Sequence, residues 1–202
     1  MILRRIIEHV KAQQWTAIII DFVIVVVGVF IGIQVSNWNE DRATDREAAV
    51  FAERLKADLR VEAWTYELNV SYYGQVLANA RRVDNVLSGR SELPDEALLV
   101  AAYRATQYNS TNRRRTTWDE LASTGKIELI RDPELRQLAA DVYANPVVDW
   151  TVDDGRKSPY RQQFRKTVPV PVQDALAAAC GDRIVREGDY AGIPAYLDYP
   201  CD

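Results

Sequence analysis

Histidine is almost missing from this chain. His9 is the only one among 202 residues, so everything beyond the first dozen positions lacks the commonest general base and metal ligand. The chain has no G-x-S-x-G elbow, no H-E-x-x-H pair and no phosphate-binding loop, so those hydrolytic and nucleotide chemistries have no motif to rest on. Cysteine is scarce too. Cys180 and Cys201, without a nearby histidine or third cysteine, do not make a zinc site. The net charge is −4, which does not favour a nucleic-acid partner. Low-complexity tracts and internal repeats are lacking, and strand signals are sparse. Two acidic pairs remain as candidates for chemistry. Asp119-Glu120 reads as charge favouring a helix N-terminus, and Asp153-Asp154, before Gly155, as a solvated turn. The expectation is a protein without catalytic residues, metal or cofactor.

What the chain does have is one long apolar run. Ala17 to Val35 reads AIIIDFVIVVVGVFIGIQV, in which 17 of 19 residues are apolar or glycine. That is the length of a bilayer-spanning helix. Trp15 and Trp38 bracket it and, at 1.5 Å per residue, stand roughly 35 Å apart, as interfacial anchors would. Buried core helices rarely run this long without a polar face. A cleaved signal peptide would need a small-x-small site, which GIQVSNWNE does not offer. Arg4, Arg5 and Lys11 precede the run, while Asn37, Asn39, Glu40 and Asp41 come directly after it, with Arg42 and Arg46 close behind. The basic excess places the N-terminus in the cytoplasm. Leu3, Ile6, Ile7 and Val10 share one helical face and suit a short helix lying at the interface. The expected organisation is therefore a cytoplasmic interfacial amphipathic segment at 1–14, a transmembrane helix at 15–38, and a periplasmic helical domain at 39–202. The cytoplasmic side would hold about 14 residues and no output domain.

Within the span, Gly28 and Gly32 form a GxxxG step that permits close approach of a second helix. Asp21 lies about two turns earlier and near the same face, and Gln34 adds a polar group near the outer end. A carboxylate at the bilayer centre costs on the order of 2.5–3.5 kcal/mol, less at the depth of Asp21. A partner's cation, an interhelical hydrogen bond or protonation would offset it. Asp21, Gly28, Gly32 and Gln34 are the candidate contact residues.

Beyond the span, apolar residues recur at Phe51, Leu55, Leu59, Ala63, Tyr66, Val70, Tyr73, Leu77, Ala80, Val83 and Leu87. Their mean step of about 3.6 residues predicts one long helix from about 38 to 88, or two broken near Gly74. Such a helix would carry the domain away from the membrane. Ser88-Gly89 ends it. Pro94 leads a helix over 95–108. Thr117 and Glu120 fit a capping box on a short helix closed by Gly125. Asp132-Pro133 opens a helix that stops before Pro146. Ser158-Pro159 opens another, or extends a longer one from about 147. Pro171 opens the last, stopped by Gly181. Cys180 and Cys201 would form a disulfide in an oxidising compartment, worth about 3 kcal/mol by closing a loop of some 20 residues. The fold class is all-α: a single N-terminal transmembrane helix continuing into a periplasmic helical bundle, with a disulfide-stapled irregular C-terminal tail. Arg113, Arg114 and Arg115 precede the capping box. They read either as an anion site at a helix N-terminus or as a solvated basic loop paired with local acids.

VIVVVGVFIGIQVSNWNE resembles the signature of an uncharacterised family of bacterial single-span inner-membrane proteins, a domain of unknown function. Asp21, Gly28, Gln34, Asn37, Trp38, Asn39 and Glu40 carry that resemblance. The stretch TTWDELASTGKIELIRDPELRQLAADVY is similar to the family's second block through Trp118, Glu120, Leu121, Thr124 and Gly125. The resemblance implies a single span and a helical domain, and brings no activity with it.

These features favour a non-enzymatic accessory or scaffold protein over a periplasmic ligand-sensing module that signals through a partner. The expected partners are the lipid bilayer and another membrane protein, or a second copy of the chain, at the transmembrane helix.

Overall fold

The computed structural model describes residues 15–110 and 112–201, with backbone only for Trp15, Thr16 and Ala17. The amphipathic 1–14 segment, His9, the indole of Trp15 and Asp202 lie outside the described residues. Every regular element among the described residues is helical, and none is a strand. The chain divides into two units, Met1–Val50 and Phe51–Asp202. One helix, α1 (Trp15–Leu87), contributes to both.

In the first unit, the apolar run of α1 is long and apolar enough to cross a membrane, and none of it is buried. The helix continues past Trp38, whose ring lies 3.8 Å from the Arg42 guanidinium one turn later, a cation–π step at i, i+4 spacing.

In the second unit, α1 is the element the others pack on. They are α2 (Asp95–Arg104), α3 (Thr116–Ser123), α4 (Pro133–Ala144), α5 (Val147–Lys157), α6 (Pro159–Thr167) and α7 (Val170–Cys180), with single 3-10 turns at Ile127–Leu129 and Ile193–Ala195. Phe51 and Leu55 of α1 meet Leu121 of α3 and Leu135, Ala139 and Tyr143 of α4 in one core cluster. Tyr103, Phe164, Leu176 and Cys180 join α2, α6 and α7 in a second. Trp64 and Leu68 of α1 pack on Ile193 of the tail in a third. The tail is irregular, as expected, yet well seated: Leu197 is fully buried. Gln75 of α1 donates to the Pro194 carbonyl at 3.1 Å and accepts from the Leu197 amide at 3.1 Å.

The helix boundaries follow the start and stop signals at several points. Asp132 accepts from the amides of Glu134 and Leu135, with Pro133 in the first turn. The Ser158 side chain caps α6 before Pro159. After α3, Gly125 takes φ +69°. The Lys126 amide reaches back to the Leu121 carbonyl and the Gly125 amide to Ala122, a Schellman arrangement that glycine favours.

Of the two alternatives for the stretch after Trp38, the single long helix is the one that forms: Gly74 does not break α1, since one glycine costs only about 1 kcal/mol. Three expectations need correction. The capping box at Thr117 does not form, because α3 begins at Thr116 without a side-chain cap of its own. Asp153 and Asp154 lie inside α5 rather than in a turn, where Asp153 pairs with Arg156 and Lys157. These two cations hold its carboxyl below the usual range, Lys157 first. Gly155 belongs to this helix because a Cβ there would stand 2.5 Å from the Tyr108 Cβ. Finally, Phe51, Leu55 and Val83 are buried as the apolar pattern predicts, but between Leu55 and Val83 the buried stripe of α1 is set about one residue away from that pattern. Glu62, Thr65, Leu68, Tyr72 and Asn79 are buried, whereas Val70 and Leu77 are exposed.

Candidate functional site

That displaced stripe puts two carboxylates of α1 against the segment that leads into α3. Asp58 and Glu62 stand one helical turn apart. Asp58 accepts the Thr117 amide at 3.2 Å, so a carboxylate from α1 supplies the cap that Thr117 was expected to make. Glu62, 1% exposed, accepts the Arg114 amide at 2.6 Å on one oxygen and Arg113 Nε at 3.2 Å on the other. The Arg113 guanidinium then donates to the Asn145 carbonyl at 3.0 Å and the Val142 carbonyl at 2.7 Å. Both carbonyls lie at the C-terminal end of α4, where a cation is favoured, and that of Val142 also accepts the Asn145 amide. The pair thus ties α1 to the connection before α3 and to the end of α4. Tyr143 closes the ring by donating to the Arg114 carbonyl at 2.8 Å. Its phenol titrates above the ordinary range, chiefly through burial and secondarily through the charges of Asp58 and Glu62.

The three arginines of the candidate anion site therefore turn to different acids, with Arg113 also 3.9 Å from the exposed Asp149 carboxylate. Arg113 is buried against Glu62. Arg114 pairs with Glu187 at 3.0 Å and Arg115 with Asp119 at 2.9 Å, both on the surface. A cavity of about 400 Å³ beside them is lined by Trp64, Thr65, Asn112, Arg114, Thr116 and Glu187. An anion entering it would displace Glu187 from Arg114, a cheap exchange since exposed pairs contribute little. Arg113 is already committed. Glu120, the other half of the expected capping box, instead meets Arg54 of α1 at 2.8 Å.

The candidate contact residues of the span lie on the first unit. Asp21 and Gln34 are exposed. Nothing lies within 4 Å of where a Cβ would sit on Gly28 or Gly32. Trp38 is exposed. At the other end of the sequence, Cys180 and Cys201 are joined, with Cα atoms 5.0 Å apart. Among the described residues no group of three or more His, Cys, Asp or Glu side chains could hold a metal ion.

A second polar centre connects α1 to the tail. The buried Tyr72 hydroxyl donates to both Asp182 oxygens at 3.1 Å. Burial raises both groups, and the Asp182 charge raises Tyr72 further. On the apolar side, Val83, Leu87, Leu98, Leu99, Phe164 and Val168 line an open cavity of about 490 Å³.

Glu62, Asp58 and Gln75 escaped the sequence reading because an apolar-only stripe passes over polar residues on the core face. The register still carried a signal. Glu62 lies seven residues after Leu55, and Asn79 seven after Tyr72, each two turns along one face.

A family model described as a family of unknown function (DUF6090) matches residues 21–145. The matched range takes in both stretches on which the family resemblance rests. No curated protein and no solved structure matches the chain.

Proposed function

The chain belongs to the DUF6090 family, whose function is unknown, and from that starting point we propose that it is a non-enzymatic accessory or scaffold protein of a bacterial inner membrane. In this reading residues 1–14 stay in the cytoplasm, 15–38 cross the bilayer and 39–202 fold in the periplasm. The span and the periplasmic domain together bind a larger membrane assembly. The observation that carries the proposal is the apolar run of α1, which is bare on every side. Such a surface demands lipid or another helix, and it contains a carboxylate and an open two-glycine step. The disulfide supports an oxidising compartment. The basic residues Arg4, Arg5 and Lys11 support the orientation.

Alkaline phosphatase, active only in the periplasm, tests the topology. Fused after Asp202 it is expected to be active, and fused after Lys11 inactive. The reverse pattern rejects the whole reading. For lateral binding, Asp21→Leu and Gly28→Ile are each expected to abolish co-purification of membrane partners from mild detergent, or self-association, while insertion persists. If both variants retain every partner and the same oligomeric state, the span is only an anchor.

The apolar cavity of about 490 Å³ favours a second reading, a sensing module that signals through a partner helix. It would require saturable binding of an apolar ligand that changes partner association.

A further inference from the structure

We propose that the cleft where α1, α2 and the chain's tail meet, at Arg104, binds an organic oxyanion: a carboxylate or phosphate head on a short aliphatic body. The proposal concerns a site away from the Arg113–Arg115 segment and does not rest on the membrane reading.

Arg104 is 5% exposed. Its guanidinium donates to the Tyr199 carbonyl at 2.7 Å, the Cys180 carbonyl at 3.4 Å and the Cys201 sulfur at 3.5 Å. All three acceptors are neutral. A buried charge that faces only neutral dipoles is poorly compensated, and buried arginines are ordinarily paired. Arg113 obeys that rule through Glu62. Arg104 has no carboxylate partner among the described residues. Its Nη1 donates to no described acceptor, and it is not among the occluded unpartnered atoms of the described residues, which are Trp64 Nε1 and the Tyr66 hydroxyl.

The surroundings add positive charge. The Tyr199 ring has the Arg104 guanidinium 4.8 Å from its centre and that of Arg183 at 3.7 Å, so two cations crowd one ring. Arg104 lines a cleft of about 480 Å³ together with Arg82, Asn79, Tyr199, Leu93 and Val100. Neither Arg82 nor Arg183 is paired with a carboxylate among the described residues. Glu96 is the single acid among the described lining residues, against two arginines. The volume lies in the range of small-molecule sites, about 300–1,000 Å³. With Nε and Nη2 committed, Arg104 offers Nη1 as one charged donor and Arg82 supplies a second guanidinium for carboxylate or phosphate oxygens, and the Leu93 and Val100 side offers an apolar wall for the body of the ligand.

The test uses the full chain in nanodiscs of zwitterionic lipid, with acetate, butanoate, inorganic phosphate and butyl phosphate as probes, followed by titration calorimetry. Butanoate or butyl phosphate is expected to bind saturably, and more tightly than its counterpart without the alkyl chain. Arg82→Gln, an exposed change that leaves the melting curve intact, is expected to weaken that binding about tenfold or more. Arg104→Met is expected to abolish it. Repeating the titration in discs containing phosphatidylglycerol separates two sources of the same chemistry. Competition there identifies a lipid headgroup, and unchanged binding identifies a free anion. Three results would overturn the proposal: no saturable binding of any probe, unchanged binding in Arg82→Gln, or binding that appears only in Asp202→Asn. The last would make the chain's own carboxylate the countercharge.

Discussion

Glu62→Ala is expected to destabilise the 51–202 unit by about 3–5 kcal/mol, the cost of leaving a buried charge without its partner. The substitution leaves the Arg113 guanidinium, of which 6% is exposed, with only the distant, solvent-exposed Asp149 carboxylate at 3.9 Å, and removes the acceptor of the Arg114 amide. At roughly 2–4 °C per kcal/mol for a unit of this size, the melting temperature should fall by roughly 6–20 °C. Glu62→Gln keeps an acceptor for the amide but not the charge, and should fall between. The double variant Glu62→Met/Arg113→Met removes both charges together. It is expected to recover much of the loss, since a buried ion pair is often replaceable by apolar packing. Circular dichroism melts of the four proteins decide the matter. A Glu62→Ala protein that melts with the wild type would show that the pair holds nothing in place.

Breaking the Cys180–Cys201 bond is the next largest expected effect. The bridge closes a separation of 21 residues, worth about 3 kcal/mol in the chain-entropy account. Cys180 is 3% exposed and belongs to a core cluster, so Cys201→Ser is the cleaner variant. It removes the bond while leaving the packed position alone. The expected signature is local as well as global. Peptide bonds between Asp182 and Pro200 should become sensitive to limited proteolysis before the rest of the unit melts. Equal protease resistance of reduced and oxidised protein would mean that Tyr72, Gln75, Ile193 and Leu197 hold the tail without help.

The elements were easier to foresee than their mutual arrangement, and particular residues show why. Asp132-Pro133, Ser158-Pro159 and Thr124-Gly125 fix helix ends through local backbone chemistry, which needs no knowledge of the rest of the chain. The apolar run that begins α1 announces itself by composition alone. The cap of α3 did not, because its acceptor is Asp58, 59 residues earlier in the chain. The arginine triplet read as one basic cluster because three neighbours in sequence look like neighbours in function. In the fold they separate, one inward to Glu62 and two outward to Glu187 and Asp119. Asp153 and Asp154 looked like a turn because Gly155 follows them. Only the proximity of Tyr108 explains a glycine inside that helix.

The polar face of α1 sets the order in which this protein can be finished. Glu62 receives its guanidinium from a residue 51 positions later, Tyr72 its carboxylate from one 110 later, and Gln75 its backbone partners from 119 and 122 later. At a ribosomal pace of about 5–20 residues per second, the last of these emerges roughly 6–24 s after Gln75. Until their own partners are made, these side chains lack their long-range bonds, and Gln75 has only the local Ser71 hydroxyl, 3.2 Å away. The second unit therefore reaches its native arrangement only after Leu197 has been made, and long-range contacts of this kind slow folding relative to local ones.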